Sequence, residues 1–338
     1  AGAVWFATAR QALVAGLAAR GVRRVHVPTY GCHDVTRALR RHVEVVLRPD
    51  RPWGPSSTLE LPPDEAAVVV TTFGLPPRWT VIGGTLVLDV THGPWDAVAA
   101  RTPPTDAVGR PADLVVASLR KTLPVPDGAV LWAPTGGPLP AQPAEDPSHE
   151  AAVARADAAL VAKAAWLAGA EDGDKDGPGG WLTALRAAEA GLLGLDDRPR
   201  AAGAVTRARV ASLDVAARWH RRAANVAAFR AALGARVDPG LLELRATPAF
   251  VVLVARDRAV RDAVRTALAG ARVYAAVLWP TDGEDVPDAD RDLADRVLVL
   301  HADARYDAAD MARVADAVVV AASAASASAP GTTDDPAS

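Results

Sequence analysis

The residues best able to do chemistry in this chain are a lysine, a serine and an aspartate. Lys121 is one of only three lysines, with Lys163 and Lys175, among 37 lysines and arginines. Both residue types serve as surface cations, but only Lys sheds its proton near neutral pH and attacks a carbonyl to form a Schiff base. Lys163 falls in a helical stretch and Lys175 in a polar loop. Lys121 stands in Ser118-Leu119-Arg120-Lys121, backed by Pro124-Val125-Pro126-Asp127-Gly128. A hydroxyl three residues ahead of the amine can bind a phosphate while the amine reaches a carbonyl carbon. Burial and the charge of Arg120 are expected to favour the free, nucleophilic amine.

Asp89 ends the apolar run Thr85-Leu86-Val87-Leu88 and is followed by Val90-Thr91-His92-Gly93. A carboxylate at a buried strand end is costly unless a cation pairs with it. A protonated pyridine nitrogen would be such a partner; a helix cap, or a metal ligand shared with His92, are the alternatives, although a lone Asp/His pair is weak evidence for metal. In Phe6-Ala7-Thr8-Ala9-Arg10, Thr8 and Ala9 open a helix whose first N–H groups could hold a phosphate, or Thr8 simply caps it. In Val27-Pro28-Thr29-Tyr30-Gly31-Cys32-His33, the side chains of Tyr30, Cys32 or His33 could lie against a planar ring, or form a turn with a half-buried Tyr.

Positioning such groups requires a buried sheet. Apolar runs separated by turns predict strands at 25–28, 43–47, 66–72, 85–89, 114–118, 129–132, 250–254 and 297–300. Helical spacing predicts helices at 9–20, 34–42, 150–169, 181–192, 204–234, 260–268 and 308–322. Continuous Val/Leu strands alternating with helices indicate an α/β fold whose mostly parallel sheet is buried on both faces. Ligands of such sheets collect beyond the C-terminal strand ends, where Asp89 and Ser118 are expected.

Half of the 338 residues are hydrophobic and the formal net charge is −3. That length accommodates a large and a smaller domain. Dispersed charge without a basic stripe argues against nucleic acid as a partner. The single cysteine, Cys32, excludes an internal disulfide and a cysteine-rich metal site, and suits a cytoplasmic location. No uncharged run is long enough to span a membrane. Residues 1–19 read as an amphipathic helix rather than a leader, and the start at Ala1 suggests a missing or trimmed upstream piece. Residues 321–338, rich in Ala, Ser, Pro and Thr, are expected to be disordered. Among the tryptophans, Trp53, Trp79 and Trp95 are candidates for an apolar pocket or for core. Arg245 and Arg305 are candidates for a substrate carboxylate or for structural ion pairs.

The run Asp89-Val90-Thr91-His92, followed by Ser118-Leu119-Arg120-Lys121-Thr122-Leu123-Pro124-Val125-Pro126-Asp127-Gly128, resembles fold-type-I pyridoxal-phosphate enzymes, and most closely the DegT/DnrJ/StrS aminotransferase family. Thr72-Phe73-Gly74-Leu75-Pro76, the Pro-x-Tyr-x-Cys of residues 28–32, and Arg222-Ala223-Ala224-Asn225 also resemble that family; Asn225 is the only Asn in the chain. Leu278-Trp279-Pro280 and the stretch from Asp303 to Met311 resemble its closing motifs.

The resemblance implies a large domain, residues 1–200, with a mostly parallel seven-stranded sheet. A smaller C-terminal α/β domain would follow at 201–322, then a disordered tail at 323–338. It implies pyridoxal 5′-phosphate bound with Lys121 as the internal aldimine, Asp89 on the pyridine nitrogen, Ser118, Thr8 and Ala9 on the phosphate, and His92 near the phenolic oxygen. It further implies a homodimer with the active site at the subunit interface, Arg198 or Arg200 as candidates for completing the site from the second subunit, and an amino donor and a keto acceptor as substrates in natural-product metabolism. Ser and Lys are spaced more tightly here than in the family's nucleotide-sugar enzymes, and the chain is short for the family, pointing to a reduced substrate-covering region. The same cofactor also supports lyase, dehydratase, cyclase or oxidase chemistry, and a degenerate non-catalytic homologue is a further reading.

Overall fold

The computed structural model describes residues 2–93, 104–169, 175–177, 180–193, 198–282 and 284–327. The chain divides into two compact units: Ala1–Pro28, His33–Thr72 and Pro76–Val215 in the first, and Thr29–Cys32, Phe73–Leu75 and Ala216–Ser338 in the second.

The first unit runs β1 (Val4–Phe6), α1 (Ala9–Ala19), β2 (Arg24–Pro28), α2 (His33–Leu39), β3 (Glu44–Arg48), β4 (Ser57–Val70), β5 (Trp79–Asp89), β6 (Leu114–Ser118), β7 (Ala129–Trp132), α3 (Pro147–Leu167), α4 (Trp181–Leu193) and α5 (Ala204–Ser212). Its seven strands form one sheet in the order β1-β7-β6-β5-β4-β2-β3. Neighbours from β6 to β3 are parallel; β7 runs antiparallel to both β6 and β1.

The continuous apolar runs form this sheet because both of its faces are covered. Leu86, Leu88, Val115, Ala117, Val130 and Trp132 enter one core. The intervening Val87, Leu114, Val116 and Leu131 enter another on the opposite face, with Leu13 and Leu17 of α1. Each fully buried Leu or Val here contributes about 1.5–3 kcal/mol.

Gly83 and Gly84 lie inside β5, at positive φ of 69° and 50°, opposite a bulge between Leu61 and Ala66. A Cβ on Gly83 would stand 2.4 Å from the Leu61 carbonyl oxygen, so only glycine fits.

The second unit contains α6 (Val215–Leu233), β8 (Leu242–Arg245), β9 (Val251–Ala255), α7 (Arg258–Gly270), α8 (Asp288–Arg296), β10 (Val297–Leu300) and α9 (Ala308–Ala327). Its sheet is antiparallel, in the order β10-β9-β8. Phe229, Val264, Met311 and Val318 of its helices pack with Val251, Leu253 and Leu298 in one core.

Several expectations need correction. Residues 4–6 form a strand rather than the start of a helix. The helix expected over 204–234 is two helices, because Leu213 turns extended at φ −89°, ψ 131°. α5 belongs to the first unit, where the Thr206 hydroxyl donates to the buried Asp127, and the last segment of that unit runs to Val215. α9 runs to Ala327, into the stretch expected to be disordered, because Ala321, Ala322 and Ala325 pack into the core. The remainder of that tail lies outside the described residues. Among the described residues no helix is long and apolar enough to cross a membrane.

Candidate active site

The first unit gathers most of the chemically able residues at one rim of its sheet. Asp89 ends β5, Ser118 ends β6, and Thr8 follows β1, whose direction matches that of β6. The register fixes their heights: Asp89 pairs with Val116, Ser118 with Ala129, and Phe6 also with Ala129.

Asp89 is 8% exposed. Burial pushes its carboxyl above the usual range; hydrogen bonds from Thr91 and the positive charge of Lys121 pull it back. The Thr91 N–H donates to Asp89 Oδ1 at 2.9 Å. Thr91 Oγ1 also accepts from the Ser118 N–H at 3.0 Å, tying the ends of β5 and β6 together. His92, buried at 5% exposure, follows directly.

Ser118 precedes a single 3-10 turn, Leu119–Lys121, and its hydroxyl does not cap that turn. Residues 119–128 form the loop of a wide β6–β7 hairpin, closed by the Leu119 N–H donating to the Gly128 carbonyl at 3.0 Å. Gly128 has φ 104°. Its N–H donates to the Ala7 carbonyl at 2.9 Å, joining the hairpin to the turn that opens α1. Thr8 caps α1, its Oγ1 accepting from the Gln11 N–H at 3.3 Å. The first amides of such a helix have no intrahelical acceptor and favour an anion.

Lys121 itself is exposed in the single chain rather than buried. The Arg120 guanidinium pairs with Glu189 at 3.4 Å. The burial expected around the lysine amine is therefore not found in the single chain.

The ring-facing candidates divide between the units. His33 opens α2 in the first. Tyr30 and Cys32 belong to the second, with Cys32 a half-buried free thiol. Tyr30 is 2% exposed; its hydroxyl donates to the Leu278 carbonyl and its ring meets Trp279 edge-on, centroids 5.7 Å apart. Burial pushes the Tyr30 hydroxyl far above its ordinary range.

Trp79 is core at 1% exposure, Trp53 is half-buried, and Trp95 lies outside the described residues. Arg245 pairs with Glu243, and Arg305 holds Asp303 with two bonds of 2.7 and 2.6 Å. Arg200 is buried and pairs with Asp146 of its own chain at 2.7 Å, while Arg198 is exposed.

Sequence reasoning missed Thr91, though its place two residues after Asp89 was a signal. It also missed Gln11, whose side-chain amide donates to the Arg198 carbonyl at 2.8 Å.

The architecture is that of fold-type-I pyridoxal-phosphate transferases. Among solved structures, S. venezuelae DesV in complex with a ketimine intermediate matches at TM-score 0.56 and 17% identity, over 95% of this chain and 84% of that one. DesI in the presence of its TDP-sugar product matches at TM-score 0.52 and 20% identity, over 95% and 81% of the two chains. A DegT/DnrJ/EryC1/StrS aminotransferase from Brucella abortus matches at TM-score 0.53 and 13% identity, over 94% and 85%. At these identities the likeness establishes the fold. No protein-family model and no curated protein sequence matches the chain.

Proposed function

We propose that this protein is a pyridoxal-phosphate-dependent aminotransferase that exchanges an amino group between a small amino donor and a keto acceptor in specialised metabolism. The observation that carries the proposal is the convergence of Asp89, Ser118 and Lys121 at one sheet rim, with Asp89 buried and under the influence of the Lys121 charge. The donor set suits the cofactor: a buried carboxylate for a pyridinium nitrogen, a hydroxyl not used as a cap and a helix start for the phosphate, and a primary amine for the carbonyl.

When bound, the cofactor supplies an electron sink for charge developing on the substrate. Asp89 would keep the ring nitrogen protonated. Ser118 Oγ and the Thr8 and Ala9 amides would hold the phosphate, and His92 would face the phenolic oxygen. Tyr30, Cys32 and His33 are the candidates for the ring face. Lys121 Nζ would hold the cofactor's carbonyl carbon, and its free amine would accept the proton from the substrate Cα.

The exposure of Lys121 in one subunit supports a homodimer whose second copy covers the site, and the single free thiol suits the cytoplasm.

The test is the visible spectrum of the purified protein with pyridoxal phosphate, alone and with amino donors. A band in the parent, its loss in Lys121→Ala, and accumulation of the amine form of the cofactor with donor alone are expected. A parent without a band, or a band that survives in Lys121→Ala, ends the proposal. Return to the starting spectrum without the amine form assigns the protein to lyase or oxidase chemistry instead.

A further inference from the structure

Asp127 takes no part in the reaction proposed above, yet it is buried to 2% exposure in the turn that closes the Lys121 loop. Its Oδ1 accepts from the Thr206 hydroxyl. Its Oδ2 accepts from the Gly203 N–H at 2.9 Å and meets His149 Nε2 at 2.8 Å. With every other partner donating to this carboxylate, His149 Nε2 is the donor of its bond. His149 is 1% exposed, and its Nδ1 has no hydrogen-bond partner among the described residues, so Asp127 is the anchor of the ring's polar atoms. One carboxylate therefore joins the hairpin loop to α3, to α5 and to the segment leading into α5.

The adjacent peptide touches both candidate phosphate-binding turns. The Gly128 N–H bonds the carbonyl of Ala7, next to Thr8, and the Gly128 carbonyl accepts from Leu119, next to Ser118. The segment leading into α5 approaches the same place, with the Arg200 carbonyl accepting from the Ala7 N–H at 2.9 Å. Space there is tight: a Cβ on Gly128 would lie 2.9 Å from Thr206 Cγ2. A shift of the Asp127 turn would thus be passed on to the Thr8 and Ser118 turns together. Buried carboxylates are costly to desolvate, and an apolar side chain would fill this space without that cost. What the carboxylate adds is a fixed position, set by donors from three other segments.

We propose that Asp127, with His149 and Thr206, is a positioning residue that sets the spacing of the two phosphate-binding turns. This rests on the proposed cofactor and on the phosphate roles of Thr8, Ala9 and Ser118.

The test compares the affinities of the parent and variants for pyridoxal phosphate and for pyridoxal, which lacks the phosphate. The preference for the phosphorylated form isolates the phosphate-binding turns. Thr206→Val removes one bond at constant shape and should lower that preference about tenfold, the worth of one hydrogen bond to a charged group. Asp127→Leu should lower it further. Asp127→Asn should restore most of it, because its carbonyl can accept from Gly203 and His149 while its amide donates to the Thr206 hydroxyl.

If the melting temperature falls in Thr206→Val or Asp127→Leu while the preference stays at the parent's value, the cluster is only core and the inference is overturned. Should Asp127→Leu fail to fold, Thr206→Val and Asp127→Asn decide it. A parent that binds neither compound overturns the proposed cofactor and this inference with it. A parent that binds both, with variants of equal preference, overturns the positioning role alone.

Discussion

Replacing Asn225 with aspartate exchanges a single amide nitrogen for oxygen and should remove much of the second unit's stability. Asn225 lies on α6 at 2% exposure. Its Nδ2 donates to the carbonyls of Ala302, Asp303 and Tyr306 at 3.2, 2.9 and 3.0 Å. The amide has two protons for three acceptors, so one bond is shared. Asn225→Asp sets a carboxylate oxygen against three carbonyl oxygens. About two net hydrogen bonds are lost, at roughly 1 kcal/mol each, and the stranded carbonyls and unpaired buried charge add more, for a total of about 3–5 kcal/mol. Asn225→Ala loses the bonds without the repulsion and should cost about 2–3 kcal/mol. The order of stability at pH 7 is then Asn, Ala, Asp.

The pH dependence has a definite sign. An unpaired buried carboxylate binds its proton more tightly in the folded than in the unfolded state, so it costs stability above the unfolded carboxylate pKa and the cost fades as the pH falls toward it. Urea unfolding followed by tryptophan fluorescence, with each variant referred to the parent at pH 7 and pH 5, measures both effects; Trp219 on α6 and Trp279 report on this unit. If Asn225→Asp matches Asn225→Ala at pH 7, or recovers nothing at pH 5, the amide is not a clasp for residues 302–306.

Two further outcomes concern the first unit. Asp89→Asn removes a carboxyl that burial holds above its usual range, so above the carboxylate range the cofactor-free variant should melt no lower than the parent, and this advantage should vanish at acid pH. Turnover of the loaded enzyme should nevertheless fall about 100-fold or more, measured as kcat with an amino donor. Asp146, which caps α3, is held far below its usual range by Ser148 first and then by Arg200. Its contribution is present at neutral pH and lost as the pH falls through the carboxylate range, so Asp146→Ala should melt on the order of a few degrees lower at pH 7, with the gap closing in acid.

The parts of the fold legible in sequence are those where one physical demand dominates. Burial on both faces leaves β7, and β6 up to its closing Ser118, no polar position, and their limits agree with the sequence reading to the residue. β1 is three residues long and β8 alternates charge with leucine, so neither carries a sufficient apolar run. α8, Asp288–Arg296, buries little beyond Leu293, Ala294 and Asp290, which leaves its pattern polar. In the candidate site, Asp89 and Ser118 are visible because reactive types end apolar strands, and Lys121 because lysine is rare in this chain. The bonds that hold them are not. Asp127 meets Thr206 across 79 residues and Tyr30 meets Leu278 across 248, distances over which local pattern carries no information.

The antiparallel course of β7 has a consequence for how this scaffold can vary. Because Ser118 and Ala129 face each other in register, residues 119–128 leave and rejoin the sheet at one point. Residues inserted or deleted within that loop need not shift any strand, so the separation between the serine and the lysine can drift in descent, or be reset by an engineer, while the sheet beneath stays unchanged.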